Sequence, residues 1–295
     1  MAKPSFYLVD VFAERKYAGN QLAVITGAAG FSGDRMQAVA RELNFSETAF
    51  IMDGDPESGL YDVRIFTPLH EVPFAGHPTL GTAYIIRQEL HHGADGPIVL
   101  NLKAGRIPVT VAPDSQGAEV YWMRQLAPSF GSTLPAAAMA PVLGLAVAEI
   151  DERFPIQQVS TGLPHIIVPL KQRRALREIR VVRELYFPLV EATWAKNLQV
   201  FCAEADEPGH DISTRMFADY LGVPEDPATG SGNGCLAGYL LQHRYFGEGP
   251  LALKSEQGYD MGRPSLLYLQ AEWQAGEIAI RIGGSVVPVA QGVLV

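Results

Sequence analysis

The chain has 295 residues, 47% hydrophobic and 19% charged, a composition typical of a globular protein with a sizeable core and room for two domains. Its formal net charge of −9 argues against nucleic acid as a partner, because proteins that bind polyanions are usually basic. Cys202 and Cys235 are too few for a disulfide framework. No signal peptide and no apolar run long enough to span a membrane are apparent, so we expect a cytoplasmic protein with no membrane partner.

Short segments that alternate apolar and polar residues predict seven strands in the first half. They are Ser5–Val11, Gln21–Thr26, Glu47–Met52, Tyr61–Phe66, Ile98–Leu102, Arg106–Val111 and Val120–Met123. Between them, one predicted helix follows Ser32 as its N-cap and stops near Asn44. A second begins with Pro78 as its first residue and runs through Arg87. Many strands and few helices indicate an α+β fold.

A Pro/Gly/Ser-rich stretch at residues 127–135 separates two halves that repeat one pattern. Each half contains R-x-F, then a loop, then E-x-P-x-x-G leading into a predicted helix. The matching residues are Arg64 and Arg215, Glu71 and Glu225, Pro73 and Pro227, and Gly76 and Gly230. The offset between matching residues grows slowly along the chain, as loop insertions would produce. We infer an internal duplication.

In each half the repeat ends in a glycine-rich turn that opens a helix. These turns are Gly76-His77-Pro78 and Gly230-Ser231-Gly232. Unpaired N–H groups and the positive end of the helix dipole favour an anion at such a turn. Either turn alone is more often only a helix cap. Their recurrence at matching positions favours two anion sites, one for a carboxylate and one for a developing enolate.

Four titratable residues near these features are candidates for chemistry. Glu47 alternates in phase with Ala49 and Ile51, which points it toward the buried face as a general acid/base requires; the alternative is an exposed strand-edge glutamate. His77 and Asp226 flank the two turns, as acid/base groups or as capping and turn residues. His165 either lines the site or is a loop histidine. The motifs of metal, nucleotide and serine-hydrolase sites are missing, so no metal and no cofactor are predicted.

With these residues the sequence resembles the PhzF family of phenazine biosynthesis-like isomerases, which share the duplicated fold of diaminopimelate epimerase. The strings that carry the resemblance are SETAFI, EVPFAGHPTLGTA, TGLPHIIVPL, EDPATGSGNG and QGYDMGRPS, in order along essentially the whole chain. The resemblance implies two pseudo-symmetric domains, each a mixed or antiparallel sheet wrapped around a central helix. The N-terminal half would cover residues 1–126, completed by about 285–295, and the C-terminal half 127–284, with the active-site cleft between them.

The resemblance also implies a reaction and a set of residues. Glu47 would be the catalytic acid/base, accompanied by His77 and Asp226, while Gly76, Gly230 and Ser231 would bind a small anionic substrate. The expected reaction is a cofactor-independent isomerisation in a biosynthetic process, moving a proton on a carboxylate-bearing carbon acid. A homodimer is expected, since twofold assemblies are the commonest.

Two alternatives stay open. One is an amino-acid or hydroxy-acid epimerase or racemase of the same fold that uses Glu47 with Asp226 or His77. The related two-cysteine racemases are disfavoured, because this chain has His77 and Ser231 at the turns where those enzymes have cysteine. The other alternative is a catalytically idle metabolite-binding protein that has kept the fold.

Overall fold

The computed structural model describes residues 4–91, 96–115 and 117–295, so the first three residues of the predicted N-terminal half lie outside the described residues. The chain divides into two compact units. Unit 1 consists of Met1–Arg124 together with Gly283–Val295, and unit 2 of Gln125–Ile282. Each unit is rich in strands and has few helices, which confirms the predicted α+β class.

The strands of unit 1 form a mixed sheet. In chain order they are β1 (Ser5–Val11), β2 (Asn20–Thr26), β3 (Glu47–Asp55), β4 (Leu60–Phe66), β5 (Glu71–Val72), β6 (Ile98–Leu102), β7 (Gly105–Pro113) and β8 (Glu119–Arg124). The pairs β2–β3 and β4–β6 are parallel; β1–β2, β3–β4, β4–β5, β6–β7 and β7–β8 are antiparallel. All seven predicted strands are present. The two-residue β5 was not predicted, because it is too short for an alternation.

Two helices belong to unit 1. Helix α1 (Gly33–Leu43) confirms the first prediction: Ser32 Oγ accepts a hydrogen bond from the Arg35 N–H, and Asn44 ends the helix in the left-handed conformation. Helix α2 (Gly76–Ile85) begins two residues before the predicted start and continues as a π-helical turn over Ile86–Leu90. Pro78 is therefore its third residue. It is tolerated there because the N–H groups of the first turn have no partner within the helix.

Unit 2 contains the remaining helices and most of the remaining strands. The strands are β9 (Ser129–Leu134), β10 (Ile156–Ser160), β11 (Pro164–Pro169), β12 (Asn197–Cys202), β13 (Ile212–Ala218), β14 (Val223–Asp226), β15 (Leu251–Gln257), β16 (Ser265–Gln274) and β17 (Glu277–Gly284), which crosses the unit boundary. The helices are α3 (Ala136–Val142), α4 (Arg173–Glu178), α5 (Arg183–Glu191) and α6 (Gly230–Gln242). The last strand of the chain, β18 (Val286–Val293), pairs antiparallel with β1 in unit 1.

The two units repeat one strand order. The pairs β11–β12 and β13–β15 are parallel, as β2–β3 and β4–β6 are in unit 1. The pairs β10–β11, β12–β13, β13–β14 and β15–β16 are antiparallel, as are their counterparts β1–β2, β3–β4, β4–β5 and β6–β7. The edge pair β9–β10 matches β18–β1. The strand pairing therefore shows the duplication that the sequence indicates.

Each sheet surrounds one central helix, α2 in unit 1 and α6 in unit 2. Both helices are buried on nearly all sides, as apolar residues around the whole helix surface require. Close packing depends on small residues: a Cβ added to Gly81 of α2 would lie 2.5 Å from Leu22 Cδ2 and 2.8 Å from Val11 Cγ2. Among the described residues, no helix combines the length and the apolar character that crossing a membrane requires.

Candidate active site

An arginine–glutamate pair precedes each central helix. In unit 1, Arg64 donates from Nε and Nη2 to the two carboxylate oxygens of Glu71, at 2.8 and 2.9 Å. In unit 2, Arg215 makes the same two bonds to Glu225, both at 2.8 Å. Each guanidinium also lies over a phenylalanine two residues further on, 5.1 Å from the ring centroid in unit 1 and 5.0 Å in unit 2. The repeated R-x-F…E string therefore ties each strand to the segment that enters the helix.

The same arginines establish which residues of the two units are equivalent. The residue opposite Arg64 on β3 lies three positions after Glu47, the first residue of that strand. The residue opposite Arg215 on β12 lies three positions after Asn197, which is also the first of its strand. Asn197 is thus the structural counterpart of Glu47. Unit 2 has a neutral amide where unit 1 has a carboxylate.

Glu47 lies close to His77 in unit 1. The Glu47 side chain is 20% exposed, and its Oε2 atom is 3.6 Å from His77 Nε2. His77 is the second residue of α2 and is buried. Its Nε2 atom is 3.3 Å from the carbonyl oxygen of Gln21, which can only accept, so Nε2 carries the proton. The strand register and the helix start together bring these two predicted site residues into one place.

His77 is electrically neutral at physiological pH. Burial lowers the pKa of its imidazole to about 3, because the charged form loses its hydration. The contact with Glu47 is therefore a contact between a carboxylate and a neutral ring, not an ion pair. The one N–H of this ring, on Nε2, faces the Gln21 carbonyl oxygen, and Nδ1 carries a lone pair. The acid/base role of His77 stays a prediction.

Neither central helix is capped by its N-cap side chain. The N-cap of α2 is Ala75, which has no polar side chain. The N-cap of α6 is Thr229, whose hydroxyl instead donates to Asp226 Oδ2. Helix α1, by contrast, has a conventional Ser32 cap. No N-cap side chain therefore accepts a hydrogen bond from the N–H groups in the first turns of α2 and α6, which begin at Gly76 and Gly230. The predicted anion sites require such uncapped groups.

Asp226 is the last residue of β14 and lies at the entrance to α6. Besides the bond from Thr229, the Asp226 carbonyl oxygen accepts a hydrogen bond from Gln257 Nε2 at 2.8 Å. Gln257 also donates to Thr229 Oγ1 at 2.9 Å and accepts from Asn233 Nδ2 at 2.8 Å. This network fixes a carboxylate beside the start of the helix in unit 2.

Ser231 and His165 form a second hydrogen-bonded pair in unit 2. Ser231 is the second residue of α6 and is half-buried; its Oγ atom lies 3.2 Å from His165 Nε2. His165 belongs to strand β11 and is fully buried, so its interpretation as a loop histidine is wrong. The short apolar run that follows it, Ile166–Val168, is consistent with a buried strand and could have shown this.

Cys235 does not have the properties of an acid/base thiol. It is fully buried in α6, with Sγ 3.6 Å from Thr161 Oγ1 and 3.5 Å from the Leu163 carbonyl oxygen. Burial raises the pKa of this thiol to about 11, so it is protonated at neutral pH. The equivalent position in α2 is Gly81, where the packing of β1 and β2 leaves no room for a side chain. Within the described residues, no group of three or more His, Cys, Asp or Glu side chains is placed to share a metal ion.

The fold defines a class of protein. A probable proline racemase from Agrobacterium radiobacter has the same fold, with a TM-score of 0.64 over 99% of this chain and 93% of that chain; its 11% identity carries the comparison no further. The class is that of the proteins built on a duplicated α+β fold.

The family follows from the sequence comparisons. The profile of the phenazine biosynthesis-like proteins, PhzC-PhzF, matches residues 9–292, and the chain belongs to this family. It is 34% identical over 300 residues to an uncharacterised isomerase of Mesorhizobium japonicum, covering 100% of this chain and 99% of that protein. It is 32% identical over 294 residues to the trans-2,3-dihydro-3-hydroxyanthranilate isomerase of Pseudomonas aeruginosa, covering 97% and 98%. The PhzF-family crystal structure from Bacillus anthracis matches with a TM-score of 0.91 at 25% identity, over 100% of both chains.

Proposed function

We propose that this isomerase moves a proton on a small carboxylate-bearing carbon acid, without a cofactor, and that Glu47 is its general acid and base. The observation that carries the proposal is the difference between equivalent positions of the two units. Glu47 begins β3 with a carboxylate, whereas its counterpart Asn197 begins β12 with an amide. An amide does not exchange protons with carbon at neutral pH. A single base returns the proton to the face from which it took it, which favours a shift along a π-system over inversion.

The proton transfer needs only groups of this chain. The Glu47 carboxylate takes a proton from the carbon acid, and the C–H electron pair passes into the adjacent π-system as an enolate or dienolate. The Glu47 carboxylic acid then returns the proton to another carbon of the same system, so that a double bond moves and nothing is oxidised or reduced. The neutral ring of His77, with Nε2 3.6 Å from Glu47 Oε2, would lie against the carboxylate and restrict its position.

Substrate binding would use the uncapped helix starts. We assign the N–H groups at Gly76 and Gly230, with the Ser231 hydroxyl, to a substrate carboxylate or a developing enolate oxygen. Asp226, held by Thr229, would accompany them as an orienting carboxylate. The relatives from Pseudomonas aeruginosa and Pseudomonas chlororaphis are named for trans-2,3-dihydro-3-hydroxyanthranilate. This compound has both a carboxylate and a carbon acid, and it is the first substrate to test.

The decisive experiment follows this compound by ¹H NMR in D₂O with wild-type protein and with Glu47→Gln. We expect the wild type to move the double bond and Glu47→Gln to be about a hundredfold to ten-thousandfold slower, the usual contribution of a positioned acid/base. Glu57→Gln, on an exposed turn, is the matched control and should leave the rate unchanged. Full activity in Glu47→Gln would refute the assignment.

The same experiment separates the alternatives. Deuterium incorporation at one carbon with inversion of that carbon, and no movement of a double bond, would identify an epimerase or racemase. A ligand that binds the wild type but shows neither exchange nor conversion would identify a metabolite-binding protein.

A further inference from the structure

The structure fixes which of His165 and Ser231 donates the hydrogen bond between them. His165 Nε2 lies 3.2 Å from Ser231 Oγ. The other ring nitrogen, Nδ1, is buried and has no hydrogen-bond partner among the described residues. Burial lowers the pKa of this imidazole to about 3, so the ring holds one proton at neutral pH. A buried N–H without an acceptor is rarer and more costly than a buried lone pair without a donor. The proton therefore belongs on Nε2, which donates to Ser231.

This direction determines what Ser231 can offer. Because Ser231 Oγ accepts the hydrogen bond from His165, its own hydroxyl hydrogen is left to donate. Ser231 is the second residue of α6 and lies beside N–H groups that the Thr229 side chain does not cap. A donor whose oxygen already accepts a bond is also polarised and donates more strongly. The Ser231 hydroxyl and the N–H groups of this helix start are then all donors, and the carboxylate beside them, Asp226, accepts from Thr229.

We propose that His165 is a positioning residue that makes Ser231 a hydrogen-bond donor, so that Ser231 binds only an acceptor group, a carboxylate or carbonyl oxygen. An amine or ammonium group would find no acceptor at Ser231. The inference deepens the proposed function and rests on it, because it specifies the chemical class that binds at Gly230 and Ser231.

Packing supports a built arrangement at this point. A Cβ added to Gly232, the next residue of α6, would lie 2.2 Å from Gln199 Oε1 and 3.4 Å from His165 Cε1. Glycine is thus what allows the first turn of α6 to approach the buried His165 and Gln199 closely. Unit 1 differs at the equivalent position. The parallel register places Leu22 beside Glu47 as it places His165 beside Asn197, so unit 1 has an apolar residue where unit 2 has the imidazole.

The variants follow from this comparison. His165→Leu introduces the residue that unit 1 has, His165→Gln keeps a donor near the position of Nε2, and Ser231→Ala removes the donor to the ligand. His243→Gln is the matched control, since His243 is a partly buried histidine of the same unit bonded to Gln157. With trans-2,3-dihydro-3-hydroxyanthranilate we expect kcat/KM to fall about tenfold to a thousandfold in His165→Leu and Ser231→Ala. His165→Gln should recover most of this loss, and His243→Gln should match the wild type. An unchanged kcat/KM in His165→Leu would overturn the proposal.

Two measurements need no turnover and separate this inference from the proposed function. ¹⁵N NMR of the histidine rings at pH 7, assigned by the signal lost in His165→Gln, should show the Nε2–H form of His165. The Nδ1–H form or the imidazolium would overturn the inference. Titration with 2-aminobenzoate should shift the Ser231 amide resonance, and the affinity read from this shift should be about tenfold weaker in His165→Leu. Titration with 2-aminobenzylamine should leave the Ser231 resonance unchanged. Equal binding of both probes, or no shift with the carboxylate, would also overturn it. If the tautomer and the titration are as expected but no substrate is turned over, only the proposed reaction is refuted.

Discussion

Arg215 and Arg64 make the same two hydrogen bonds to a glutamate at different depths in their units. The Arg215 side chain is 8% exposed, and that of Arg64 is 36% exposed. Arg215 also donates from Nη1 to the carbonyl oxygens of Leu176 and Ile179, at 3.0 and 3.4 Å, where α4 ends. We therefore expect the two substitutions to alanine to differ in cost, although the sequence motif is the same.

The magnitude follows from burial. Arg215→Ala removes a buried guanidinium and leaves the Glu225 carboxylate and the Leu176 and Ile179 carbonyl oxygens without their donor, which typically costs about 3–5 kcal/mol. Arg64→Ala breaks a more exposed pair, worth about 1 kcal/mol or less after solvent screening. Lys103 Nζ also stays within 3.7 Å of Glu71. At about 2–4 °C per kcal/mol, the Tm should fall by about 6–20 °C in Arg215→Ala and by less than about 4 °C in Arg64→Ala.

Differential scanning calorimetry of the purified variants measures both Tm values. Arg215→Lys is the informative control, because it keeps the charge but cannot make two parallel bonds, and it should recover only part of the loss. Equal losses in Arg64→Ala and Arg215→Ala would refute the reasoning from burial. A loss in Arg215→Ala that Arg215→Lys fully repairs would show that charge alone, and not the bidentate geometry, holds the segment.

Two further predictions concern buried titratable groups. Burial raises the pKa of both Cys202 and Cys235 to about 11, so 5,5′-dithiobis(2-nitrobenzoate) should react with neither in the native protein at pH 8 and with both after unfolding; fast native labelling would contradict this. Burial lowers the pKa values of His77 and His165 to about 3, below the unfolded value of 6.5, so protonation favours the unfolded chain. Their contribution to stability is complete above pH 6.5 and is lost as the pH falls toward 3. The slope of Tm against pH between 6.5 and 5 should therefore be smaller in His77→Gln than in the wild type, and an identical slope would rule the effect out.

Local sequence signals determined much of the secondary structure. Ser32 and Asn44 mark the ends of α1 because a cap depends on residues within one turn of the helix. The strands of unit 1 follow from alternation, which is a property of about four to eight consecutive residues. The predicted start of α2 is two residues late: proline is most common at the first helical position, whereas here Ala75 is the extended N-cap and the helix begins at Gly76.

The repeated motif is visible in the sequence, but its structural role is not. The string R-x-F…E-x-P-x-x-G is visible in the sequence, but its meaning as a stacked, bidentate arginine–glutamate pair appears only when β4 lies beside β5 and β13 beside β14. The difference in exposure between Arg64 and Arg215 has no signal in the motif at all.

The sequence by itself determined the family, the duplication and the residues to examine, among them Glu47, His77 and Ser231. Tertiary structure alone decided that Asn197 is the counterpart of Glu47, that His77 is neutral, and that the partner of Ser231 is the buried His165. Local patterns report on residues a few positions apart, whereas His77 contacts a carbonyl group 56 positions away and Ser231 a histidine 66 positions away. Strand register and the burial of each ring set these relations, because together they fix which groups meet and which of them hold a proton.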